Sequence, residues 1–293
     1  METKLTVFTP TYNRAFCLGD LYQSLADQTA RDFKWLIVDD GSSDNTKSLV
    51  EGWQNEGKVT IEYIYKANGG MHTAHNTAYA NINTELNVCI DSDDTMPIDA
   101  VEKILETWKT RGNKTVAGII GLDSFKDGKI IGSAIPESIE TATLGELYTK
   151  YGVSGDKKLV LRTSVVKEFP AYPEFEGERL VPLSTLYKMI DTKYKFLCVN
   201  DVYCIVEYLP DGSSHNILKQ YKQSPNGFLY ARRVEMKLAN DTKTKFTRAM
   251  HMVSSSIFAG RWDIFKDNPS KILTTLAVPF GLALNLYIRF KSR

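Results

Sequence analysis

Two carboxylates stand one residue apart in Asp91-Ser92-Asp93-Asp94, directly after an apolar run at 86–90. At the end of a buried strand such a pair offers hard oxygen ligands to Mg2+ or Mn2+ and leaves coordination positions for phosphate oxygens. A metal held there serves as a Lewis acid on a departing diphosphate. The same run also suits a solvated loop that caps the next helix; its place after a buried strand favours chemistry.

Three further clusters carry polar groups of the right types. Asp39-Asp40-Gly41-Ser42 follows a second apolar run. A carboxylate there can accept hydrogen bonds from a base N–H, with Gly41 permitting a tight turn, or it can close an Asx turn before a helix. Asn68-Gly69-Gly70-Met71-His72-Thr73-Ala74-His75-Asn76 is a glycine-containing loop entering a helix. Backbone N–H groups at a helix start attract anions, and His72 and His75 lie close enough along the first turn to contact phosphate or a metal-bound oxygen. Glu174-Phe175-Glu176-Gly177-Glu178-Arg179 could supply a general base to an acceptor hydroxyl, or form a surface acidic turn. His215, after Asp211-Gly212-Ser213-Ser214, is a weaker candidate for metal or diphosphate.

The elements that must position these groups alternate strand and helix. Residues 5–8 form a short apolar strand ending in Thr9-Pro10-Thr11-Tyr12-Asn13-Arg14. Leu18, Leu21, Tyr22 and Leu25 then share one helical face. A strand at 35–38 stops at Asp39. Asp44 can cap the next helix, whose inner face uses Leu49, Val50 and Trp53. Residues 59–66 alternate with period two, as in a half-exposed strand near a sheet edge. A helix through 73–80 and a strand at 86–90 follow. Repeated strand–loop–helix units imply a mostly parallel, doubly wound α/β sheet, in which ligands bind beyond the carboxyl ends of the strands. The polar clusters after residues 8, 38 and 90 all fall at those ends. Later signals are a helix opened by Pro97, a hairpin turn at Asp127-Gly128 between 116–122 and 129–132, strands at 159–161 and 196–206, and helix from about Ser224.

The 293 residues suffice for one large domain with an appendage, and 43% hydrophobic with 24% charged is an ordinary globular composition. A net charge of +1 gives no case for nucleic acid, whose backbone usually demands a clear basic excess. Four cysteines (Cys17, Cys89, Cys198 and Cys204) form no C-x-x-C pair and read as reduced thiols of a cytoplasmic protein. The first residues lack the charged and apolar segments of a signal peptide. Residues 272–288 carry no charge and precede Arg289, Lys291 and Arg293. Interrupted by Pro279 and Gly281, this run is short for a membrane span. It could lie in a bilayer interface, or pack on the protein body or on a second subunit.

Together the four motifs, Phe8 to Arg14, Val38 to Asp44, Asn68-Gly69-Gly70 with Ala74-His75-Asn76, and Asp91 to Asp94, resemble the family 2 inverting glycosyltransferases with the GT-A fold. They occur in that family's order and approximate spacing. The resemblance implies a GT-A (Rossmann-like) α/β domain over 1–210, with a nucleotide-sugar-binding half at 1–95 and an acceptor half at 96–210. It leaves 211–293 as a helical extension, membrane-associating or oligomerising. It implies that Thr9, Pro10, Thr11, Tyr12, Asn13, Arg14 and Asp40 hold the nucleoside, with Asp40 facing the base, usually uracil. Asn68, Gly69, Gly70, His75, Asn76, Asp91 and Ser92 complete the donor site. Asp93 would bind Mn2+ or Mg2+, with Asp91 and His215 as further ligands. Glu178 would be the base, with Glu176 its rival, because Arg179 stands where an acidic residue often follows. Many relatives carry arginine where His75 stands.

The implied reaction is inverting transfer from a nucleotide-diphosphate sugar, a UDP-sugar first, to a saccharide or lipid-linked acceptor in bacterial surface polysaccharide synthesis. The implied location is cytoplasmic, peripheral on the inner face of the membrane. A nicotinamide-dependent oxidoreductase would need G-x-G-x-x-G where this chain has Thr9-Pro10-Thr11-Tyr12-Asn13-Arg14. A sugar-phosphate nucleotidyltransferase and a non-catalytic nucleotide-sugar-binding module remain the alternatives.

Overall fold

The computed structural model describes residues 3–207, 217–266 and 268–292, so His215 lies outside the described residues. The chain divides into two compact units. The first, residues 1–68, 74–170 and 193–209, holds a single eight-stranded sheet.

Its strands are β1 (Leu5–Thr11), β2 (Phe33–Asp39), β3 (Ile61–Tyr65), β4 (Leu86–Cys89), β5 (Val116–Ser124), β6 (Thr141–Ala142), β7 (Lys157–Arg162) and β8 (Lys195–Ile205), in the spatial order β3-β2-β1-β4-β7-β5-β8-β6. The ladders β1–β2, β2–β3, β1–β4 and β5–β8 are parallel, whereas β7 runs antiparallel to β4 and β5. The alternating strand β3 is an edge strand, as its half-exposed pattern requires.

Helices α1 (Leu18–Ala26), α2 (Thr46–Glu56), α3 (Met71–Asn81), α4 (Ala100–Arg111), α5 (Leu144–Thr149) and α6 (Thr163–Val166) connect these strands. Period two along β1 sorts its side chains. Leu5 and Val7 join Leu21 of α1, Val50 of α2 and Ile104 of α4 in one core, while Phe8 meets the rings of His75 and Tyr79 on α3. Trp35, Tyr22 and Trp53 stack in that core, the last two with ring centroids 4.4 Å apart. The Asp127-Gly128 turn forms as the sequence predicts, with Phe125 N–H donating to Lys129 and Ser124 bridging Ile130. All four cysteines are free thiols.

The second unit gathers residues 69–73, 171–192 and 210–293. Among the described residues it contains α7 (Ser184–Ile190), α8 (Ile217–Gln223), α9 (Pro225–Leu238), α10 (Thr242–Phe258) and α11 (Lys271–Lys291). The sequence reading placed one boundary at residue 210, but the partition is not linear. The segment around Glu178 leaves the sheet and bonds to α9, and Tyr172 OH donates to the Leu183 carbonyl within the same loop. Gly227 lets that loop approach, since a Cβ there would lie 2.0 Å from the Leu180 carbonyl oxygen.

His251 on α10 is largely enclosed, with Arg232, Arg248 and Glu235 around it. Burial, reinforced by the two guanidiniums, lowers its pKa from 6.5 to about 4. The unfolded chain therefore takes up a proton that the folded chain refuses as pH falls below 6.5. The stability due to neutral His251 is complete above pH 6.5 and is lost as pH falls towards 4, by about 2 kcal/mol after allowing for partial exposure. Thermal unfolding across this range will show the decline, and His251→Gln will flatten it.

Candidate nucleotide-sugar site

The crevice of the first unit opens where β1 and β4 part. Their ladder ends at Phe8↔Cys89, followed by Ile90 N–H donating to the Phe8 carbonyl. Pro10 is the next β1 residue whose backbone faces β4, and it has no N–H to extend the pairing. Meanwhile β1 stays paired with β2 as far as Thr11↔Asp39. In the order β3-β2-β1-β4 this gap is the topological switch point of the sheet.

The first two loops lock together beyond it. Asn13 adopts φ 53°, the left-handed region that asparagine tolerates. Its N–H donates to Ser42 Oγ at 2.8 Å, and its Oδ1 accepts from Ser43 N at 2.8 Å. Asp40 N–H donates to the Thr11 carbonyl, and Ala15 N–H to Asp44 Oδ2. Asp44 also accepts from Thr46 at the start of α2, near the capping place read from the sequence. Gly41 is required here: its φ is +89°, and a Cβ would meet Asn68 N at 2.8 Å.

The site residues read from the sequence have divided roles. Thr9 is spent on the core, where its Oγ1 accepts from Trp35 Nε1. Thr11 Oγ1 is shut from solvent and has no partner among the described residues. Asn68 gives Nδ2 to the Asp40 carbonyl, while its Oδ1 is likewise enclosed and unpartnered. Two orphaned oxygens thus flank Asp40, and buried polar atoms in native proteins rarely go unsatisfied without a ligand or water. Tyr12 is exposed, and Arg14 lies over the Phe16 ring.

Asp40 itself is buried and paired with Lys66, Nζ to Oδ1 at 2.6 Å. Asp39 is occupied by structural bonds: Oδ1 closes an Asx turn on Ser42 N and Oδ2 accepts from Tyr63 OH at 2.5 Å. Burial and that carboxylate push the Tyr63 phenol well above its ordinary pKa. The sequence reading missed Lys66 and Tyr63, taking both only as residues of an edge strand. Cross-strand placement next to Asp39-Asp40 was the signal available.

Beyond β4, Asp91 and Asp93 are half-exposed, while Ser92 and Asp94 are buried. Asp94 anchors the loop, accepting from Glu207 N and Cys204 Sγ. Burial, opposed by Lys158 and reinforced by Asp91, lifts its carboxyl to about 7. Lys158 on β7, which sequence reading also missed, stands 3.8 Å from Asp123. Burial disfavours its charge, but Cys204, Asp123, Asp91 and Asp94 outweigh that and keep it protonated. Cys17 at the head of α1 has its thiol pKa raised by burial and then by Asp93, which puts the α1 end beside the acidic loop.

His75 is enclosed, its Nδ1 3.2 Å from Tyr79 OH and its Nε2 3.7 Å from Cys89 Sγ. That thiol lies 3.8 Å from Asp91 Oδ1, so the ring reaches the acidic loop through Cys89. Asn76 is partly exposed in the same turn. Among the described residues no three His, Cys, Asp or Glu side chains form a self-contained metal site. Asp91 and Asp93 fit a divalent cation of the Mg2+ or Mn2+ kind that draws its remaining ligands from phosphate and water.

In the second unit, Gly69, Gly70 and His72 belong with the loop that carries Glu178. Gly70 has φ +94°, and a Cβ there would lie 1.9 Å from the Arg179 carbonyl oxygen. Glu178 caps α9: Oε1 accepts from Asn226 N and Nδ2, and Oε2 from Gly227 N at 2.9 Å. Glu176 is exposed and makes no hydrogen bond among the described residues.

Lys66→Met will remove the cation paired with the buried Asp40 carboxylate. Loss of one partner of such a pair costs about 2 kcal/mol or more, which urea unfolding will show as a lower midpoint with unchanged slope.

A chain with this geometry has clear relatives. It is 32% identical over 107 residues to an uncharacterised glycosyltransferase of Nostoc sp., a match covering 36% of this chain and 33% of that protein. It is 27% identical over 192 residues to the GalNAc(5)-diNAcBac-PP-undecaprenol beta-1,3-glucosyltransferase of Campylobacter jejuni, covering 63% of this chain and 60% of the relative. The matches thus span about a third to three-fifths of these relatives. Among solved structures, S. aureus TarS 1–349 with UDP-GlcNAc superposes with TM-score 0.63 at 18% identity, over 97% of this chain and 81% of that one. The mannosyltransferase PcManGT of Pyrobaculum calidifontis, with GDP-Man and Mn2+, gives 0.57 at 16%, over 100% and 84%. The fold is the GT-A α/β fold, a mostly parallel central sheet flanked by helices with a helical C-terminal extension. The model of glycosyl transferase family 2 matches residues 6–168, more than half of the chain, and the chain belongs to that family.

Proposed function

We propose that this chain transfers a sugar from a nucleotide-diphosphate donor, a UDP-sugar first, to a hydroxyl of a saccharide or lipid-linked saccharide acceptor on the cytoplasmic side of a bacterial membrane, in surface polysaccharide synthesis. The observation that carries this reading is the pair of enclosed, unpartnered oxygens, Thr11 Oγ1 and Asn68 Oδ1, that flank the buried Asp40 at the switch point. They have the polarity and placement to meet the edge of a base. The interlocked loop from Thr9 and Pro10 through Tyr12, Asn13 and Arg14 walls the nucleoside. Asn68, His75, Asn76, Asp91 and Ser92 of the first unit complete the donor site, with His75 acting through Cys89 on Asp91. TarS, crystallised with UDP-GlcNAc, supports the choice of uracil; PcManGT, in complex with GDP-Man and Mn2+, makes guanine the first rival. The C. jejuni relative, by its name, acts on an undecaprenol-diphosphate-linked saccharide.

Asp93, with Asp91 second, would hold Mn2+ or Mg2+, whose chemistry is to neutralise the charge of the departing nucleoside diphosphate. The acceptor hydroxyl loses its proton to a carboxylate of this chain and attacks the anomeric carbon opposite the diphosphate, with inversion. Glu178 is the base that the family resemblance supplies. Its two carboxylate oxygens accept from three N–H donors at the start of α9, which ties the side chain to that helix. Free of such donors, Glu176 is the alternative.

A donor screen with Mn2+, scored by nucleoside diphosphate release, tests the first part. UDP release from one sugar is expected, with Asp93→Asn reducing it by about two to three orders of magnitude, the loss seen when one electrostatic stabiliser is removed. Pyrophosphate release would instead make the chain a nucleotidyltransferase, and binding without turnover a non-catalytic module. Glu178→Gln and Glu176→Gln separate the bases. The true base loses kcat with donor Kd unchanged, whereas a Glu178 that is only a cap loses about 1 kcal/mol of stability and keeps turnover.

A further inference from the structure

Helix α11 is built inside out. Its buried stripe is Thr274, Ala277, Gly281, Asn285 and Ile288, mostly small or polar. Its outward face carries the large apolar groups: Ile272, Leu276, Phe280, Leu286 and Phe290 are all more than half exposed, Ile272 at 76% and Phe290 at 69%. A surface helix in water turns its large apolar residues inward and its polar ones outward. Here the inward polar groups are satisfied by protein. Asn285 Nδ2 donates to the Ser254 carbonyl, and Thr274 Oγ1 bonds to Asn268 and Ser270. Gly281 lets α10 approach, since a Cβ would meet Val253 at 2.5 Å. The outward face therefore has an apolar environment to meet, and the inward packing is already complete without it.

Charge identifies that environment. No acidic residue follows Asp267, while Lys271, Arg289 and Lys291 stand at the two ends of the helix. The connection into the helix exposes Trp262 at 79%, along with Phe265. Apolar side chains along the middle, cations at both ends and aromatics nearby match the interface of an anionic bilayer. A second copy of the same face would bring like charges together at the helix ends in one of the two antiparallel or parallel registers available, and it offers no acidic partner.

The helix has 21 residues, longer than the uncharged run suggests, because Ser270 caps it and Pro279 is accommodated inside it. It is long and apolar enough to cross a membrane by length and composition. Its neighbour argues against crossing. Phe246 meets Phe280, Ser254 meets Asn285 and Phe258 lies under Arg289, so α10 and α11 run parallel along their contact. A crossing α11 would carry Lys243, Lys245 and Arg248 of α10 into hydrocarbon, at a cost that membrane proteins seldom accept.

We infer that α11 docks the chain in the plane of an anionic membrane surface, through Ile272, Leu276, Phe280, Leu286 and Phe290, with Lys271 and Lys291 on the headgroups. The inference stands on this helix alone and is tested without any assay of transfer. The full chain is sedimented with vesicles of phosphatidylcholine, with and without phosphatidylglycerol. Native protein is expected to bind both and to prefer the anionic vesicles, the preference fading with salt. Changing Ile272, Leu276, Leu286 and Phe290 together to Gln should weaken binding by roughly a hundredfold or more without lowering Tm, because these side chains are exposed. Changing Lys271 and Lys291 to Glu should remove only the anionic preference. An alkaline wash should release the bound chain. Native protein that ignores vesicles, or a Gln variant that binds as before, overturns the inference. Resistance to the alkaline wash overturns the in-plane placement. A vesicle-indifferent dimer that the Gln variant converts to monomer assigns the face to a second copy instead.

Discussion

The gap at the switch point of the sheet coincides with one missing backbone donor. Pro10 stands where β1 would next pair with β4, and without an N–H the ladder stops at Phe8 and Cys89. On its other side β1 keeps its pairing with β2 as far as Thr11↔Asp39, three residues beyond the end of the β4 ladder. The candidate site residues of the first unit lie on the two lips of that gap. Asn13 and Ser42 lock one lip, and the Asp91–Asp94 turn forms the other. A residue with a free N–H at position 10 could extend the pairing by a rung and narrow that gap.

Electrostatics then decide which acidic groups remain available. Asp39, Asp40, Asp91, Asp93, Asp94 and Asp123 gather at the same end of the sheet, where cations and hydrogen-bond donors face several of them. Lys66 answers Asp40, the Tyr63 hydroxyl answers Asp39, and Lys158 sits among Asp91, Asp94 and Asp123. Asp94 is the group driven towards its neutral form. What remains half-exposed is Asp91 and Asp93, the pair suited to a divalent cation. The second unit shows a similar economy, in which Glu178 supplies the acceptor oxygens that the N-terminus of α9 lacks.

Parts of this architecture are legible in residue order because they rest on local rules. Period-two runs that end in small polar residues mark β1, β2 and β4. The i, i+3, i+4 spacing marks α1 and α2, and the alternation at 61–65 marks an edge strand. Four motifs in order were enough to name the family. The sequence could also show an uncharged run near the C-terminus, but not which side of the helix would be covered, since that is decided by α10.

The chain's own order of residues determined the fold class, the strand ends that bear the chemistry, and the acidic pair after β4. Only the tertiary structure decided the rest, because those facts depend on residues far apart in sequence becoming neighbours. Lys66 reaches Asp40 across a strand pair, and Lys158 reaches Asp123 across another. His75 meets Cys89, and Glu178 finds α9 some 48 residues on. Thr9, equally plausible as a ligand from its type and position, is spent on Trp35, while Thr11 two residues later is left with an enclosed, unpartnered hydroxyl. Burial and long-range pairing set those differences, and neither has a local signature.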